Sequence, residues 1–308
     1  MNVSPKEIHT DDFDHFSAWV TDLGFESELT QASRGRGKFQ AGMTTIGDWT
    51  VWRYRASQDM LCEYTIPPDM IELCISRYSS PVLWCGQKFL GTSITIHRDR
   101  HLYRATLPRD GVGYGCLLPI EDAIRSGVIS EQHLSRLGSV NHAFAPANES
   151  SAAYLMGRLS ALFELPDALD QPGHAIDSLV CDWQPTMDAS FSADVTGAKP
   201  TPEKALLDKA QDLIVSRMDR ALTVGEIAEE LSVTRRALER AFRHFIGVSP
   251  YQYLLLRRLH TARRMLTLGR EDVLATSLQC GFEHASRFSK MYARQFGELP
   301  SQTKARCS

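Results

Sequence analysis

Over its first hundred or so positions the chain alternates apolar and polar residues in short runs. Thr50-Val-Trp-Arg-Tyr-Arg55, Ile71-Glu-Leu-Cys-Ile-Ser-Arg77 and Ser93-Ile-Thr-Ile-His97 are rich in β-branched and aromatic side chains, a pattern that predicts strands. Pro67-Pro68, Ser79-Ser-Pro81 and Gly91 punctuate them, and Pro108-Arg-Asp-Gly111 predicts a turn before a glycine-rich strand edge, Gly111 to Gly115. The period then lengthens to that of helices over Ile120–Ser126, Glu131–Leu137 and Glu149–Leu165. The last spaces Ala152, Leu155, Met156, Leu159, Leu162 and Phe163 along one side, a stripe that needs a partner surface, either the chain's own barrel or the same helix of a second chain, and function favours the dimer contact. Leu165 to Thr201 holds Pro166, Pro172, Gly173, Pro185, Gly197 and Pro200 and predicts a linker; beyond it everything reads as helix. The expected fold is α+β. Residues 1–170 form a β-rich, barrel-like sensing and dimerisation domain, 171–202 a linker, and 203–308 an all-α domain.

That last segment contains a repeat. Leu238 matches Phe288, Phe242 matches Tyr292, Ile246 matches Phe296, Gly247 matches Gly297 and Pro250 matches Pro300, all at an offset of fifty. Earlier in the unit Ala228 matches Ser277 and Val233 matches Phe282 at an offset of forty-nine, so the second copy has one more residue in its turn. Each copy, about 224–245 and 273–296, has the layout of a helix-turn-helix. Thr223 with Glu226 predicts a capping box, Thr234 an N-cap, and Gly281 the second turn. With Leu238, Phe242 and Phe245 buried, Arg235, Arg236, Glu239, Arg240 and Arg243 fall on the outward face. In the second copy Ala285, Ser286, Arg287, Lys290 and Arg294 do the same. A helix fits the major groove, and long polar side chains on its outer face reach base edges there. Tyr251 to Leu268, begun by Pro250 and ended by Gly269, predicts a continuous helix holding the two units apart. Its Arg257, Arg258, Arg263 and Arg264 serve either surface solubility or phosphate contact.

Charge sharpens this picture. The net charge of −3 is an average of −9 over residues 1–200 and +6 over residues 201–308. From Thr234 onward there are 14 basic and 5 acidic residues, which suits a polyanionic partner. No run of eighteen apolar residues predicts a membrane span, and the acidic N-terminus is unlike a secretory signal. Seven cysteines, spread without a C-x-x-C pair, suggest a reducing cytoplasm and neither a disulfide framework nor a zinc site.

The residues Ile227-Ala228, Leu238 with Phe242, Gly247-Val-Ser-Pro250, Arg257 with Ala262-Arg263, Cys280-Gly-Phe282, Ser286-Arg-Phe288 and Phe296-Gly-Glu-Leu-Pro300 resemble the DNA-binding domain of the AraC/XylS family of bacterial regulators. The resemblance runs from about residue 205 to the end. It implies two helix-turn-helix units entering successive major grooves of double-stranded promoter DNA. Arg236, Glu239 and Arg240 would read bases in the first unit, and Ala285, Ser286, Arg287 and Lys290 in the second. One departure stands out: Thr276-Ser277 occupies the place of the family's usual Ile-Ala, which loosens the second unit. The resemblance also implies a non-enzymatic homodimer whose first domain binds a small-molecule effector.

Trp49, Trp52, Arg53, Tyr54 and Trp84 either line a pocket for that effector or build barrel core and rim. His97 and His101, spaced i,i+4 around Arg98-Asp-Arg100, sit at a strand end without a cluster of carboxylate partners, so no metal or other cofactor is expected. Two alternatives remain: a metal-dependent cupin-like enzyme fused to a DNA-binding domain, and a ligand-independent dimeric DNA-binding protein.

Overall fold

In the computed structural model, residues 5–22, 26–85, 87–98, 102–137, 142–164, 172–191, 201–217, 222–269 and 271–307 are described. The first part comprises β1 (Lys6–Thr10), α1 (Phe13–Asp22), β2 (Ser27–Gln31), β3 (Phe39–Ile46), β4 (Trp49–Ala56), β5 (Met60–Thr65), β6 (Met70–Trp84), β7 (Gln87–Arg98), β8 (Leu102–Leu107) and β9 (Gly111–Pro119). Then come α2 (Ile120–Arg125), α3 (Glu131–Leu137), β10 (His142–Pro146), α4 (Glu149–Glu164) and α5 (Pro172–Phe191). The remainder is helical: α6 (Pro202–Ser216), α7 (Val224–Glu230), α8 (Arg235–Phe245), α9 (Pro250–Thr267), α10 (Val273–Gln279), α11 (Ala285–Phe296) and α12 (Pro300–Cys307).

The strands make one curled antiparallel sheet in the order β1-β3-β4-β9-β6-β8-β5-β2, with β7 paired to β6 and β10 to β7. Its two ends, β1 and β2, are joined in sequence by α1, which packs on both and covers the open seam. Long β6 turns the corner: Met70–Tyr78 pairs with β7 and β9, the register shifts between Tyr78 and Val82, and Leu83 and Trp84 then pair with β8. Pro81 falls in that break, where no ladder hydrogen bond is needed from it.

Period-2 alternation gives this sheet two apolar faces. Outward, Trp49, Val51, Ile71, Leu73, Ile75, Ile94, Ile96, Cys116 and Leu118 form one core with α2, α4 and α5. Inward, Phe39, Ala41, Met60, Tyr64, Tyr78 and Tyr103 pack with Phe13 and Phe16 of α1.

Three expectations change here. The stripe of α4 is covered by the chain's own sheet and α5, with Ala152, Leu155, Leu159 and Phe163 buried in the outer core, so it is not a free dimer surface. Residues 172–191 of the expected linker are helix α5, whose Leu179, Val180, Trp183 and Met187 lie in the same core; Thr201 and Pro202 cap and begin α6, and 171 and 192–200 lie outside the described residues. Pro172 starts this helix and Pro185 sits inside it, which is why proline content misled. The strand holding Gly111, Gly113 and Gly115 is central, between β4 and β6, and not an edge. Its glycines make room for neighbouring rings: a Cβ on Gly113 would come within 2.3 Å of the Tyr54 ring, and one on Gly115 within 2.2 Å of the Trp52 ring.

The helical part matches its sequence closely. Thr223 and Glu226 form the capping box of α7, Thr234 caps α8, and Ser249 with Gln252 forms a second box before α9, with Pro250 in its first turn. The two turns share a left-handed residue, Gly281 (φ +75°) and its counterpart Ser232 (φ +53°). Each unit has its own core, one around Leu238, Phe242 and Tyr253, the other around Phe288, Tyr292 and Phe296. Thr276 and Ser277 are fully buried. Ser277 Oγ donates to the Leu274 carbonyl at 2.8 Å, whereas Thr276 Oγ1 has no partner.

This packing makes three predictions. A fragment ending at residue 191 should melt well above one ending at 170, and Trp183→Ala should destabilise the longer one by about 3–5 kcal/mol in chemical denaturation. Equal stability of the two fragments would remove α5 from the core. In the second unit, Thr276→Val keeps the side-chain shape and deletes a buried unpaired hydroxyl, so it should stabilise the domain by about 1 kcal/mol. Ser232→Gly should do likewise, by about 1 kcal/mol, by relieving a left-handed conformation that non-glycine residues resist.

Candidate nucleic-acid interface and barrel cavity

Burial of Leu238, Ala241, Phe242 and Phe245 on α8 leaves the opposite face to solvent. Arg235, Arg236, Arg240 and Arg243 are exposed there and Glu239 half-buried. Arg243 Nε donates to Glu239 Oε1 at 2.6 Å along the helix, and Arg240 pairs with Glu203 of α6 at 2.6 Å. Arg235 lies back over Gly225, where a Cβ would sit 2.5 Å from its guanidinium. On α11 the buried stripe is Phe288, Tyr292, Gln295 and Phe296. Ser286, Arg287, Lys290 and Arg294 are exposed and Ala285 half-buried. All ten expected contact residues thus fall on two helices of one domain, with a cleft of about 510 Å³ between the units bordered by Arg235, Arg258 and Arg287.

The arginines of α9 do something else. Arg257 and Arg263 are buried, so neither surface solubility nor phosphate contact describes them. Arg257 donates to Glu28 of β2 at 2.6 Å. Arg263 holds Asp14 of α1 on one side and Glu298 at 2.9 Å on the other, with Arg306 closing the group onto Glu298 at 3.1 Å. Arg258 donates to the Leu222 carbonyl, and only Arg264 is exposed. The His260 ring, wedged edge-on between Phe13 and Phe296, loses its water, which pushes its pKa down to about 3. It is therefore neutral at pH 7, and its Nε2–H donates to the Gln31 carbonyl at 3.1 Å.

These contacts tie both helix-turn-helix units to the barrel. Tyr253 and Gln211 both donate to Glu63 of β5, at 3.1 and 2.9 Å, and Thr106 Oγ1 donates to the Ile246 carbonyl at 2.7 Å. On the second unit Gln295 donates to the carbonyls of Gln31 and Ser33 at 2.9 and 3.0 Å, and its own carbonyl accepts from Gly35 N–H at 2.8 Å. Sequence reasoning missed this interface because its partners lie up to 264 residues apart.

Inside the barrel, behind α1, lies a cavity of about 130 Å³. Trp52, Arg53, Tyr54 and Trp84 line it as the sequence allowed, whereas Trp49 belongs to the outer core. Phe16, Trp19 and Leu29 add to its walls, and Glu72 lies at its floor. Glu72 accepts from Trp52 Nε1 at 3.0 Å and from Tyr64 OH at 3.2 Å, and contacts His97 Nδ1 at 3.0 Å. This corrects the view that His97 lacks a carboxylate neighbour: the β6–β7 register sets Glu72 opposite His97. His101 lies outside the described residues. Together with Cys74, 3.8 Å from His97 Nδ1, the pair presents O, S and N donors that could hold a metal ion. As it stands, burial pushes the Cys74 thiol up, so a metal would have to displace a firmly held proton. Burial also pushes the Cys62 thiol of the wall up to about 12, so Cys62 adds no charge there.

Comparison with known proteins bears on the C-terminal third. Residues 227–306 match the family model of a helix-turn-helix domain. The HTH-type transcriptional regulator CdhR of Pseudomonas aeruginosa is 42% identical over 96 residues, which are 30% of this chain and 29% of that protein. The HTH-type transcriptional activator RhaR of Escherichia coli is 31% identical over 103 residues, 33% of this chain and 36% of that one. A solved AraC-type regulator from Chromobacterium violaceum is 30% identical, covering 34% of this chain and 94% of its own, with a TM-score of 0.32. The chain thus spans about a third of the length of the CdhR and RhaR regulators. No helix among the described residues is long and apolar enough to cross a membrane. With exposed basic faces on α8 and α11 and α9 joining them, residues 227–306 form a helix-turn-helix domain, and this segment is similar to the matching part of HTH-type transcriptional regulators.

Proposed function

We propose that the chain is a cytoplasmic, homodimeric, sequence-specific transcription regulator whose DNA-binding domain is gated by a small molecule in the barrel. The observation that carries this reading is the paired ribbon β2–β5, which has different partners on its two faces. Ser27, Leu29, Met60, Cys62 and Tyr64 line the cavity, while the intervening Glu28 and Glu63 bond to the DNA-binding domain, and Leu61 packs in its core. Helix α1 repeats the arrangement, with Phe16, Trp19 and Val20 toward the cavity and Asp14 on Arg263. A ligand shifts a conformational equilibrium only through contacts that differ between states. Here one rigid ribbon serves both sites.

In the proposed complex, α8 and α11 enter successive major grooves. Arg236, Glu239, Arg240, Ser286, Arg287 and Lys290 face base edges, Ala285 makes apolar contact, and Arg235, Arg243, Arg294 and Arg264 lie toward phosphates. Arg240 and Arg243 leave their present carboxylate partners on binding. Dimerisation supplies avidity through linked sites. Because α4 is used internally, the dimer contact lies elsewhere, and a monomer in sedimentation at tens of micromolar would remove this part of the proposal. A second reading, metal-dependent chemistry in the barrel, has one observation in its favour, the Glu72–Cys74–His97 cluster.

Two experiments test the main reading. At a site selected from random DNA, Arg236→Ala or Arg240→Ala should cost about 1–3 kcal/mol and relax preference at one base pair. Arg264→Ala should instead weaken all sequences alike and reduce the log–log salt slope by about 0.9. Equal losses on selected and random DNA for the α8 arginines would refute base reading. For gating, Cys62→Phe fills part of the cavity and should change affinity of the full chain for the selected site by about three-fold or more, a modest population shift. In a Glu28→Gln/Gln295→Ala background the same substitution should have no effect. An unchanged affinity in the otherwise native, folded chain would defeat gating.

A further inference from the structure

The barrel cavity also carries information about what it takes, an inference that rests on the gating reading above. Its volume is about 130 Å³. A dry protein cavity of about 150 Å³ accommodates benzene, so this one matches a single ring and not a nucleotide, sugar chain or long acyl group. Its walls are aromatic faces: Phe16, Trp19, Trp52, Tyr54, Tyr64 and Trp84. Gly113 and Gly115 shape the slot, because the rings of Tyr54 and Trp52 lie over them where any Cβ would collide.

The charges nearby are already engaged. Glu72 meets Trp52 Nε1, Tyr64 OH and His97 Nδ1, which occupy three of a carboxylate's roughly four acceptor sites. Arg53 pairs with Glu7 at 2.5 Å and lies over the Phe163 ring at 4.6 Å. An incoming carboxylate would have to draw Arg53 away from Glu7, and an ammonium would have to displace the donors already on Glu72, so either ion sheds its water for a counter-charge that is already engaged, an unfavourable exchange. Two polar groups of the wall have no hydrogen-bond partner among the described residues: the indole N–H of Trp84 and the hydroxyl of Ser27. Trp84 is only 8% exposed, and stacking on His97 at 5.0 Å holds its ring. A buried donor without an acceptor calls for one.

We propose that the cavity binds an uncharged, single-ring aromatic molecule bearing one oxygen, of the aryl alcohol or phenol class, with the ring between the aromatic walls and the oxygen accepting from Trp84 Nε1–H and meeting Ser27 Oγ. The full chain is titrated with benzyl alcohol, toluene, benzoate and benzylammonium, following tryptophan fluorescence and melting temperature. Benzyl alcohol and toluene should both bind and raise the melting temperature, the alcohol more, since a ligand of the folded state stabilises it. Benzoate and benzylammonium should do neither.

Trp84→Phe keeps an aromatic wall and removes the donor. It should weaken benzyl alcohol by about tenfold and leave toluene unchanged. Gly113→Ala should push Tyr54 into the slot and abolish both; the Trp84 comparison stands whether or not that variant folds. Tighter binding of either ion than of benzyl alcohol would overturn the proposal. So would equal losses for toluene and benzyl alcohol in Trp84→Phe, or no binding of any probe at millimolar concentration. The two readings fail separately. An ion that binds and alters DNA affinity sinks the ligand class and leaves gating intact. Benzyl alcohol binding with the Trp84 signature but without effect on DNA affinity supports the ligand class and sinks gating.

Discussion

Successive residues of a strand point to opposite sides, and much of this molecule depends on that constraint. In β5, Met60, Cys62 and Tyr64 face the cavity while Leu61 and Glu63 face the helical domain. Its partner β2 does the same with Leu29 and Glu28. In β4 and β6 the alternation separates an aromatic and polar interior (Trp52, Tyr54, Glu72, Ser76) from an aliphatic exterior (Val51, Ile71, Leu73, Ile75) that receives α4 and α5. A slip of one residue in any of these ladders would exchange the faces and destroy cavity and interface together.

The charge asymmetry acquires a second meaning in this frame. A basic C-terminal segment suggests a polyanion, and its exposed arginines on α8 and α11 suit one. Yet Arg257 and Arg263, among the most buried cations of the described residues, are turned to the chain's own acidic part: Glu28, Asp14 and, through Arg263 Nη2, Asp12 at 3.8 Å. Desolvating such pairs offsets much of their attraction, so their contribution is to docking geometry more than to stability. His260 fits the same logic, since a neutral ring can be buried beside two arginines where a protonated one could not. The basic domain therefore turns one set of arginines to the chain's own acidic part and leaves another set exposed on α8 and α11.

What the amino-acid sequence determined by itself was local. The capping box at Thr223, the proline that begins α9, the left-handed glycine after α10 and the apolar stripes of α8 and α11 are set by residues within one or two turns of each other, and repetition fifty residues apart reinforced the stripes and the proline. The exposed basic positions of α8 and α11 followed from the same period. Only the tertiary structure decided what depends on distant partners. Helix α5 was hidden by Pro172 and Pro185, although Leu179, Trp183 and Met187 already had helical spacing; the sheet and α4 give that stripe something to bury against. Gly113 read as an edge because it has no side chain of its own, whereas it exists to hold the ring of Tyr54 from the next strand. Glu72 and His97, twenty-five residues apart, meet through hairpin register, and Arg257 finds Glu28 across 229 residues. Period and capping are properties of a segment, while burial of a charge or a ring is a property of whatever the folded chain brings to it.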